Sequence, residues 1–133
     1  MRKLTAEWVR KAEADITAAR RLLAGKPPLY DPVCFHFQQG GEKYLKALLQ
    51  EQSLPVPRSR DLAFLLAQLL PVCPGLRVLR PSAGRLNQYA VQYRYPGSHA
   101  TGRQARSAAT SATLIQAKIR HELGLRRPRG GCP

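Results

Sequence analysis

The sequence predicts an all-α protein, an antiparallel up-and-down bundle of about five helices. Apolar residues recur every three or four positions along the long segments, which is the spacing of one helix face, and no segment alternates convincingly with period two. Short Pro- and Gly-containing breaks separate these segments, as in an antiparallel bundle. The 133 residues suffice for one domain with a buried core, predicted at 3–124, followed by a disordered basic tail at 125–133.

The first helix is predicted from Thr5 to Ala24. Thr5 is of a type that caps helix N-termini, and Gly25 stands just beyond the predicted end. The apolar face that we expect to be buried consists of Trp8, Ala12, Ile16, Ala19 and Leu23.

The second helix is predicted to start at Asp31-Pro32, with the aspartate as cap and the proline in the first turn, and to end near Ser53. Gly40-Gly41 lies in its middle and costs roughly 2 kcal/mol relative to two alanines. Close approach of a neighbouring helix would explain why two glycines occur here, and so would neutral sequence drift. The predicted buried face comprises Phe37, Tyr44, Leu45, Leu48 and Leu49.

Three further helical segments complete the chain. The third helix is predicted over Arg60–Leu70 with Ser59 as its cap, and its inward side chains are Leu62, Leu65, Leu66 and Leu69. Residues 76–93 are predicted to be mostly helical, with Pro81 either kinking the helix or restarting it with Ser82 as cap. We expect four of their side chains to face inward: Leu86, Tyr89, Ala90 and Tyr93.

The last helix is predicted from Gly102 to Leu123, after a loop that reads RYPGSHATG. Small residues near its start predict tight packing, and Gly124 ends it. The face that we expect to be buried consists of Ala105, Ala108, Ala112, Ile115, Ile119 and Leu123.

The formal net charge is +14, from 22 basic and 8 acidic side chains. Residues 54–133 hold thirteen of the basic and two of the acidic side chains, a net of +11. This imbalance favours a polyanionic partner, namely RNA, DNA, a nucleotide or an acidic protein surface. A GC-rich genome also enriches Arg, Ala, Gly and Pro, but the acidic residues are depleted in one half only, which favours polyanion binding.

Several functional classes are excluded by what the sequence lacks. No apolar run is long enough to span a membrane, and no signal peptide is visible. Neither of the two glycine-rich phosphate-binding loops occurs, and the three histidines have no metal-ligand spacing to the three cysteines. We therefore expect no metal and no cofactor. The cysteines form no CxxC pair, which indicates a reducing, cytoplasmic setting.

A polar patch on the second predicted helix is the first candidate site. Gln39, Glu42, Lys43 and Lys46 follow one another at offsets of three and four residues. Such a cluster can orient a basic side chain or bind a phosphate through its lysines. Spacing alone favours the alternative, a solvated face with a Glu42–Lys46 salt bridge worth a few tenths of a kcal/mol.

Arg94 and His99 form the second candidate site, five positions apart around a proline turn. RNA cleavage without a metal needs a base for the ribose 2′-hydroxyl and a cation for the phosphate, and these two residue types supply them. The alternatives are a structural arginine that donates to loop carbonyls and an ordinary loop histidine. The pair alone favours the alternatives.

These two segments resemble the HEPN domain family. The second predicted helix reads FHFQQGGEKYLKALL at 35–49, and the later segment reads NQYAVQYRYPG at 87–97. The first helix, WVRKAEADITAARRLL, and the Ala-rich last helix are also similar to the family, so the resemblance covers about residues 3–124. The RYP sequence places the chain in the R-Y-P branch.

The resemblance implies a helical bundle, often a homodimer. Many prokaryotic members are single-domain proteins paired with a minimal nucleotidyltransferase in toxin–antitoxin modules. Toxin-type members are metal-independent ribonucleases with an R-x(4–6)-H motif, which Arg94 and His99 match here. Other members bind nucleotides or are non-catalytic assembly modules.

Three positions depart from family patterns. Members of the R-Y-P branch often lack a histidine at the distance of His99. Thr101 stands where some toxins carry a tyrosine that their partner nucleotidylates, and Arg60 replaces a common histidine.

The family resemblance predicts a toxin-type, RNA-binding ribonuclease with Arg94 as phosphate clamp and His99 as base. The expected supporting or phosphate-binding residues are Gln39, Glu42, Lys43, Lys46 and Tyr95. The expected partners are a second copy of the chain, a minimal nucleotidyltransferase, and RNA or a nucleotide. The alternative is a non-catalytic module that binds a nucleotide or another protein.

Overall fold

The computed structural model describes residues 1–90 and 95–125. Within these ranges the chain forms five α-helices and one 3₁₀ helix and contains no strand, which confirms the predicted all-α bundle. The α-helices are α1 (Lys3–Leu23), α2 (Tyr30–Glu51), α3 (Leu62–Leu69), α4 (Arg80–Asn87) and α5 (Gly102–Glu122), and the 3₁₀ helix spans Pro74–Leu79. None of the helices in the described ranges is both long and apolar enough to cross a membrane.

Helix α2 is the centre of the bundle and packs against all four other α-helices. Helix α1 runs antiparallel to it, so that the start of α1 meets the end of α2. There the Arg2 N–H and the Thr5 hydroxyl both donate to the Glu51 carboxylate, each at 2.9 Å. Helix α5 runs parallel to α2: its start lies at Tyr30, and Arg120 near its end donates to the Tyr44 hydroxyl.

Most of the apolar residues predicted to face inward form the core, whereas Trp8, Leu23 and Ala90 are only partly buried. Phe37 and Tyr44 of α2 are fully buried, and none of the four predicted leucines of α3 is more than 1% exposed. On α5 the predicted stripe is buried up to Ile119, and Leu123 is half-buried. Leu86 and Tyr89 are buried as predicted, whereas Tyr93 lies outside the described residues.

Gly40 and Gly41 allow α2 to sit close to its neighbours on two sides. A Cβ atom added to Gly40 would lie 2.6 Å from Ile16 Cγ1 of α1, and one added to Gly41 would lie 3.0 Å from Leu62 Cδ2 and 3.1 Å from Leu86 Cδ1. The first distance is shorter than real carbon contacts. Of the two explanations for these glycines, close helix approach is therefore the one that the structure supports.

Gly40→Ala is expected to lower the free energy of unfolding by about 1–2 kcal/mol, because overpacking against the fully buried Ile16 outweighs the helix propensity gained. Gly84→Ala in α4 is the matched control, since no side chain and no other element comes within 4 Å of its added Cβ. That change should leave stability equal or raise it by up to about 1 kcal/mol. Urea denaturation of both variants measures the difference, and equal effects would contradict the close packing.

Two predicted helix caps are wrong because tertiary contacts use the capping side chains. Thr5 lies inside α1, fully buried, and its hydroxyl donates to Glu51 of α2. Asp31 lies inside the first turn of α2, which begins at Tyr30, and its Oδ1 accepts from the Ala100 N–H at 2.6 Å. Both side chains connect distant parts of the chain.

The boundaries of the middle helices also differ from the prediction. Helix α3 begins two residues later than predicted, capped by Asp61 rather than Ser59. The predicted long helix over 76–93 is, up to residue 90, a 3₁₀ helix followed by α4, and residues 91–93 lie outside the described ranges. The last residue of α4, Asn87, accepts from the Leu62 N–H at 2.7 Å. The helix restarts near Pro81 as one alternative had it, but Ser82 is buried inside α4 and is no cap.

Candidate functional site

The polar residues of α2 divide into two separate clusters. The first, which we call the glutamine–lysine cluster, contains Gln38, Gln39, Glu42 and Lys46. Lys46 Nζ donates to Glu42 Oε2 at 3.0 Å, and Gln39 Nε2 donates to Gln38 Oε1 at 2.7 Å and to Glu42 Oε1 at 3.3 Å. Gln38 Nε2 completes the chain by donating to the backbone carbonyl of Arg60 at 2.9 Å.

This cluster is buried, so the expectation of a solvated face on α2 is wrong. Glu42 and Lys46 are only 6% and 7% exposed, and the predicted salt bridge between them is part of the interior. The Lys46 ammonium also lies 5.6 Å from the centre of the Trp8 ring. The Lys46 charge is thus neutralised by Glu42 and packed against an aromatic face.

The second cluster joins α1 to α2 through Asp15. Lys43 Nζ donates to Asp15 Oδ2 at 2.6 Å, and His36 Nδ1 lies 2.9 Å from Asp15 Oδ1. All three side chains are mostly buried. Both predicted phosphate-binding lysines of α2 therefore already have carboxylate partners, one on the same helix and one on α1.

His99 lies in a different part of the molecule, where the chain enters α5. Its side chain is 83% exposed, and its Nδ1 lies 3.5 Å from Asp31 Oδ2. The other carboxylate oxygen, Asp31 Oδ1, accepts from the Ala100 N–H, which fixes the carboxylate beside the imidazole. Because Nδ1 faces the carboxylate, the opposite ring nitrogen, Nε2, faces away from it.

A basic group and a hydroxyl group lie beside Gly102, the first residue of α5, three residues after His99. A Cβ atom on Gly102 would lie 2.9 Å from Arg106 Nη1 and 3.0 Å from the Tyr30 hydroxyl, so both groups are beside the start of α5. Arg103, one turn before Arg106 on this helix, is exposed. The Arg106 guanidinium and the positive end of α5 therefore lie beside Gly102, three residues after the exposed histidine in the chain.

The start of α5 is firmly anchored. The Thr101 hydroxyl accepts from the Gln104 N–H at 3.1 Å, and the Gln104 side chain accepts from the Thr101 N–H at 2.9 Å. This reciprocal capping box fixes the backbone two residues after His99. Thr101, which stands where some toxins carry a tyrosine, has a structural role here.

Of the remaining predicted site residues, the structure describes Tyr95 but not Arg94. Arg94 lies outside the described residues, and so do the basic residues of the predicted tail from 126 onward. Tyr95 is 70% exposed at the start of the loop that leads to His99. Arg94 and Tyr95 stay predictions from the sequence.

Cys34 lies near the same end of α2 but is not a reactive thiol. Burial, and secondarily the Asp31 carboxylate, raise the pKa of Cys34 to about 12. The thiol is therefore protonated at physiological pH and packs as a small apolar side chain. Within 1–90 and 95–125, no three His, Cys, Asp or Glu side chains come together as metal ligands would.

Spacing along the sequence identified the α2 residues but missed Asp31, Arg106 and Asp15. Asp31 was interpreted as a helix cap, and its distance of 68 residues from His99 hides the pair. The signal for Arg106 was its place one turn after the predicted start of α5 at Gly102. Asp15 gave no signal beyond standing one residue before the buried Ile16.

Comparisons with known proteins agree with this architecture. The HEPN domain model matches residues 5–121. The fold is similar to the crystal structure of a Thermus thermophilus protein, with a TM-score of 0.77 and 23% identity over 89% of this chain and 97% of that one. It is also similar to the crystal structure of an archaeal HEPN homologue, with a TM-score of 0.74 and 24% identity over 92% of this chain and 99% of that one.

At these identities the two structures establish the fold alone. A search of curated proteins finds no significant match to the chain. The family model spans nearly all of the described bundle, from the first turn of α1 to the last turn of α5. The chain belongs to the HEPN domain family.

Proposed function

We propose that this protein binds RNA and cleaves it without a metal, as the toxin-type member of a pair with a minimal nucleotidyltransferase in the cytoplasm. The observation that supports this best is the exposed His99, whose Nδ1 faces the Asp31 carboxylate. A carboxylate on one ring nitrogen fixes the orientation of an imidazole and leaves the other nitrogen free to exchange a proton with a substrate.

The proposed reaction is an attack within the RNA chain. Nε2 of His99 removes the proton of a ribose 2′-hydroxyl, and that oxygen forms a bond to the adjacent phosphorus. The bond from phosphorus to the 5′-oxygen breaks, and the leaving oxygen takes a proton from water. The products are a 2′,3′-cyclic phosphate and a free 5′-hydroxyl, and the imidazolium returns its proton to solvent.

Negative charge grows on the phosphate oxygens in this transition state, and arginines near His99 supply the compensating charge. Arg106 and Arg103 of α5 are close to the histidine in the chain, and both are exposed. Arg94, predicted from the R-x4-H motif, is the third candidate. Guanidinium groups suit this role because they donate two parallel hydrogen bonds to a phosphate.

Exposed basic residues elsewhere support binding of a longer RNA. Within residues 54–90 and 95–125, the exposed arginines outnumber the two carboxylates, and they occur on several elements: Arg58, Arg60, Arg77, Arg80, Arg85, Arg103 and Arg106. In contrast, the two lysines of α2 are held by carboxylates. RNA contact at the arginines is therefore favoured over nucleotide binding at α2.

An assay with a labelled single-stranded RNA in the presence of EDTA tests the proposal. We expect cleavage in EDTA, and binding whose log K falls with log salt at a slope of about −2, as for about three phosphate contacts at −0.7 each. Salt-dependent binding without cleavage would contradict the catalytic role and favour a non-catalytic module. Absence of binding at low salt would contradict RNA as the partner.

The proposed partners have separate tests. A homodimer predicts twice the monomer mass of 14.8 kDa in sedimentation equilibrium. A nucleotidyltransferase pair predicts a gene for such an enzyme beside this one, and co-purification of the two products.

A further inference from the structure

We infer that the groove between the 3₁₀ helix and α5 binds an acidic amphipathic helix of a partner protein. The groove, which we call the α5 groove, has a volume of about 380 Å³ and is lined by Val78, Leu79, Leu114, Ala117, Lys118 and His121. Its lining contains none of His99, Arg103 and Arg106, the residues proposed for RNA cleavage. The inference therefore stands independently of RNA cleavage.

The floor of the groove is apolar and unusually exposed. Val78 is 65% exposed and Leu114 is 50% exposed, although both are aliphatic side chains that normally contribute to a core. Leu114, Ala117, Lys118 and His121 follow the spacing of one helix face, so the groove extends along about two turns of α5. A second helix that lies along this face presents apolar side chains at the same spacing.

The rim of the groove is basic. Lys118 and His121 belong to the lining, and the exposed Arg77 and Arg80 flank Val78 and Leu79 in the 3₁₀ segment. Glu122, at the end of α5, is exposed and lies near Cys73. Burial raises the pKa of the Cys73 thiol, and the Glu122 carboxylate adds a smaller effect in the same direction. Cations around an apolar floor are complementary to a helix with one apolar face and acidic flanks.

Two other occupants are disfavoured by charge. In a symmetric contact between two copies, Lys118 and the flanking arginines of one copy would face the same groups of the other, and like charges oppose such a pairing. The C-terminal segment at 126–133 reads RRPRGGCP, which carries three arginines and no aliphatic side chain large enough to fill the floor.

RNA is disfavoured by the floor of the groove. Proteins bind single strands through cationic grooves lined by aromatic side chains on which bases stack. Among the lining residues of the described chain there is no Phe, Tyr or Trp, and four of the six side chains are aliphatic. The chemistry of the groove therefore favours a protein helix over a nucleic acid.

A designed peptide tests the inference. It has about 18 residues, or five turns, of Ala, Leu and Glu, with the Leu residues on one face and the Glu residues flanking them. A second peptide carries Lys in place of every Glu. Fluorescence anisotropy with the full-length protein should show saturable binding of the Glu peptide below about 1 mM, and no binding of the Lys peptide.

Variants of the protein locate the binding site. Leu114→Glu and Lys118→Glu should each weaken binding of the Glu peptide by about tenfold or more, as expected for anchor residues of an interface. Leu4→Glu is the matched control, because Leu4 is 54% exposed on α1 and the change adds the same charge elsewhere. Leu4→Glu should weaken binding by less than about twofold.

Four results would overturn the inference. They are absence of Glu-peptide binding, equal binding of the Lys peptide, equal effects of Leu114→Glu and Leu4→Glu, and dissociation of a dimer by Leu114→Glu, which would identify a second copy as the occupant. RNA cleavage by Leu114→Glu should equal that of the native protein. Loss of peptide binding with intact cleavage, or the reverse, separates this site from the proposed RNA site.

Discussion

RNA cleavage by His99→Ala is expected to be slower than by the native protein by a factor of about 10²–10⁴, the usual contribution of a general base. The imidazole is exposed to solvent, and the Asp31 carboxylate faces it from 3.5 Å. Because the side chain is 83% exposed, its removal should leave the free energy of unfolding within about 0.5 kcal/mol of the native value. Cleavage rates on one RNA, measured beside urea denaturation, give both quantities.

Two further variants make this result specific. Asp31→Asn should lose less activity than His99→Ala, because the amide oxygen still accepts from Ala100 and the base itself remains, although the imidazolium loses its carboxylate. Ser98→Ala, in the same loop, should cleave RNA at the native rate. If His99→Ala cleaves as fast as Ser98→Ala, His99 is not the base.

The second large effect is on stability. Glu42→Ala is expected to lower the free energy of unfolding by about 3 kcal/mol, because it leaves the Lys46 ammonium in the interior without its carboxylate. The side chains of Lys46 and Glu42 are 9% and 7% exposed, so solvent compensates little. The change also removes one of the two acceptors of the Gln39 amide. Trp8, the single tryptophan, provides the fluorescence signal for urea denaturation.

A double variant distinguishes the lost charge pair from lost packing. Glu42→Ala with Lys46→Met removes both charges and keeps most of the apolar stem, so it should recover stability to within about 1 kcal/mol of the native protein. Glu122→Ala, at an exposed position, should change stability by less than about 0.5 kcal/mol. A loss below about 1 kcal/mol for Glu42→Ala would instead match a solvent-exposed pair.

The helices and their buried faces follow from local information. The residues of α2 and α3 that three- and four-residue spacing predicted to be buried are all buried, since apolar periodicity requires no knowledge of the partner helix. The glycine pair also signalled close packing, although only the structure shows which side chains, Ile16 and Leu62, approach each glycine.

Helix ends were predicted less well, because their side chains have distant partners. Thr5 and Asp31 are typical capping residues, yet Glu51 and Ala100 use their hydrogen-bonding groups instead. At the end of α4, the Asn87 side chain accepts from the Leu62 N–H at the start of α3. Local sequence preferences contain no information on such pairings.

The candidate site was only partly predicted, again because some of its contacts join distant parts of the chain. Sequence spacing placed Glu42 and Lys46 together but gave no measure of how deeply the bundle buries them. The motif selected His99 in the loop before α5, whereas its partner Asp31 is on α2. Pairs within one helix can be predicted from spacing, and pairs between helices depend on the packing of the bundle.

Cleavage of an RNA with one 2′-deoxy sugar tests the central proposal most directly. The protein is incubated in EDTA with a normal RNA and with the same RNA lacking the 2′-hydroxyl at the main cleavage position, and the product ends are identified by mass spectrometry. The proposed reaction predicts 2′,3′-cyclic phosphate ends from the normal RNA and no cleavage at the deoxy position. Continued cleavage at the deoxy position, or products with 3′-hydroxyl and 5′-phosphate ends, would contradict it.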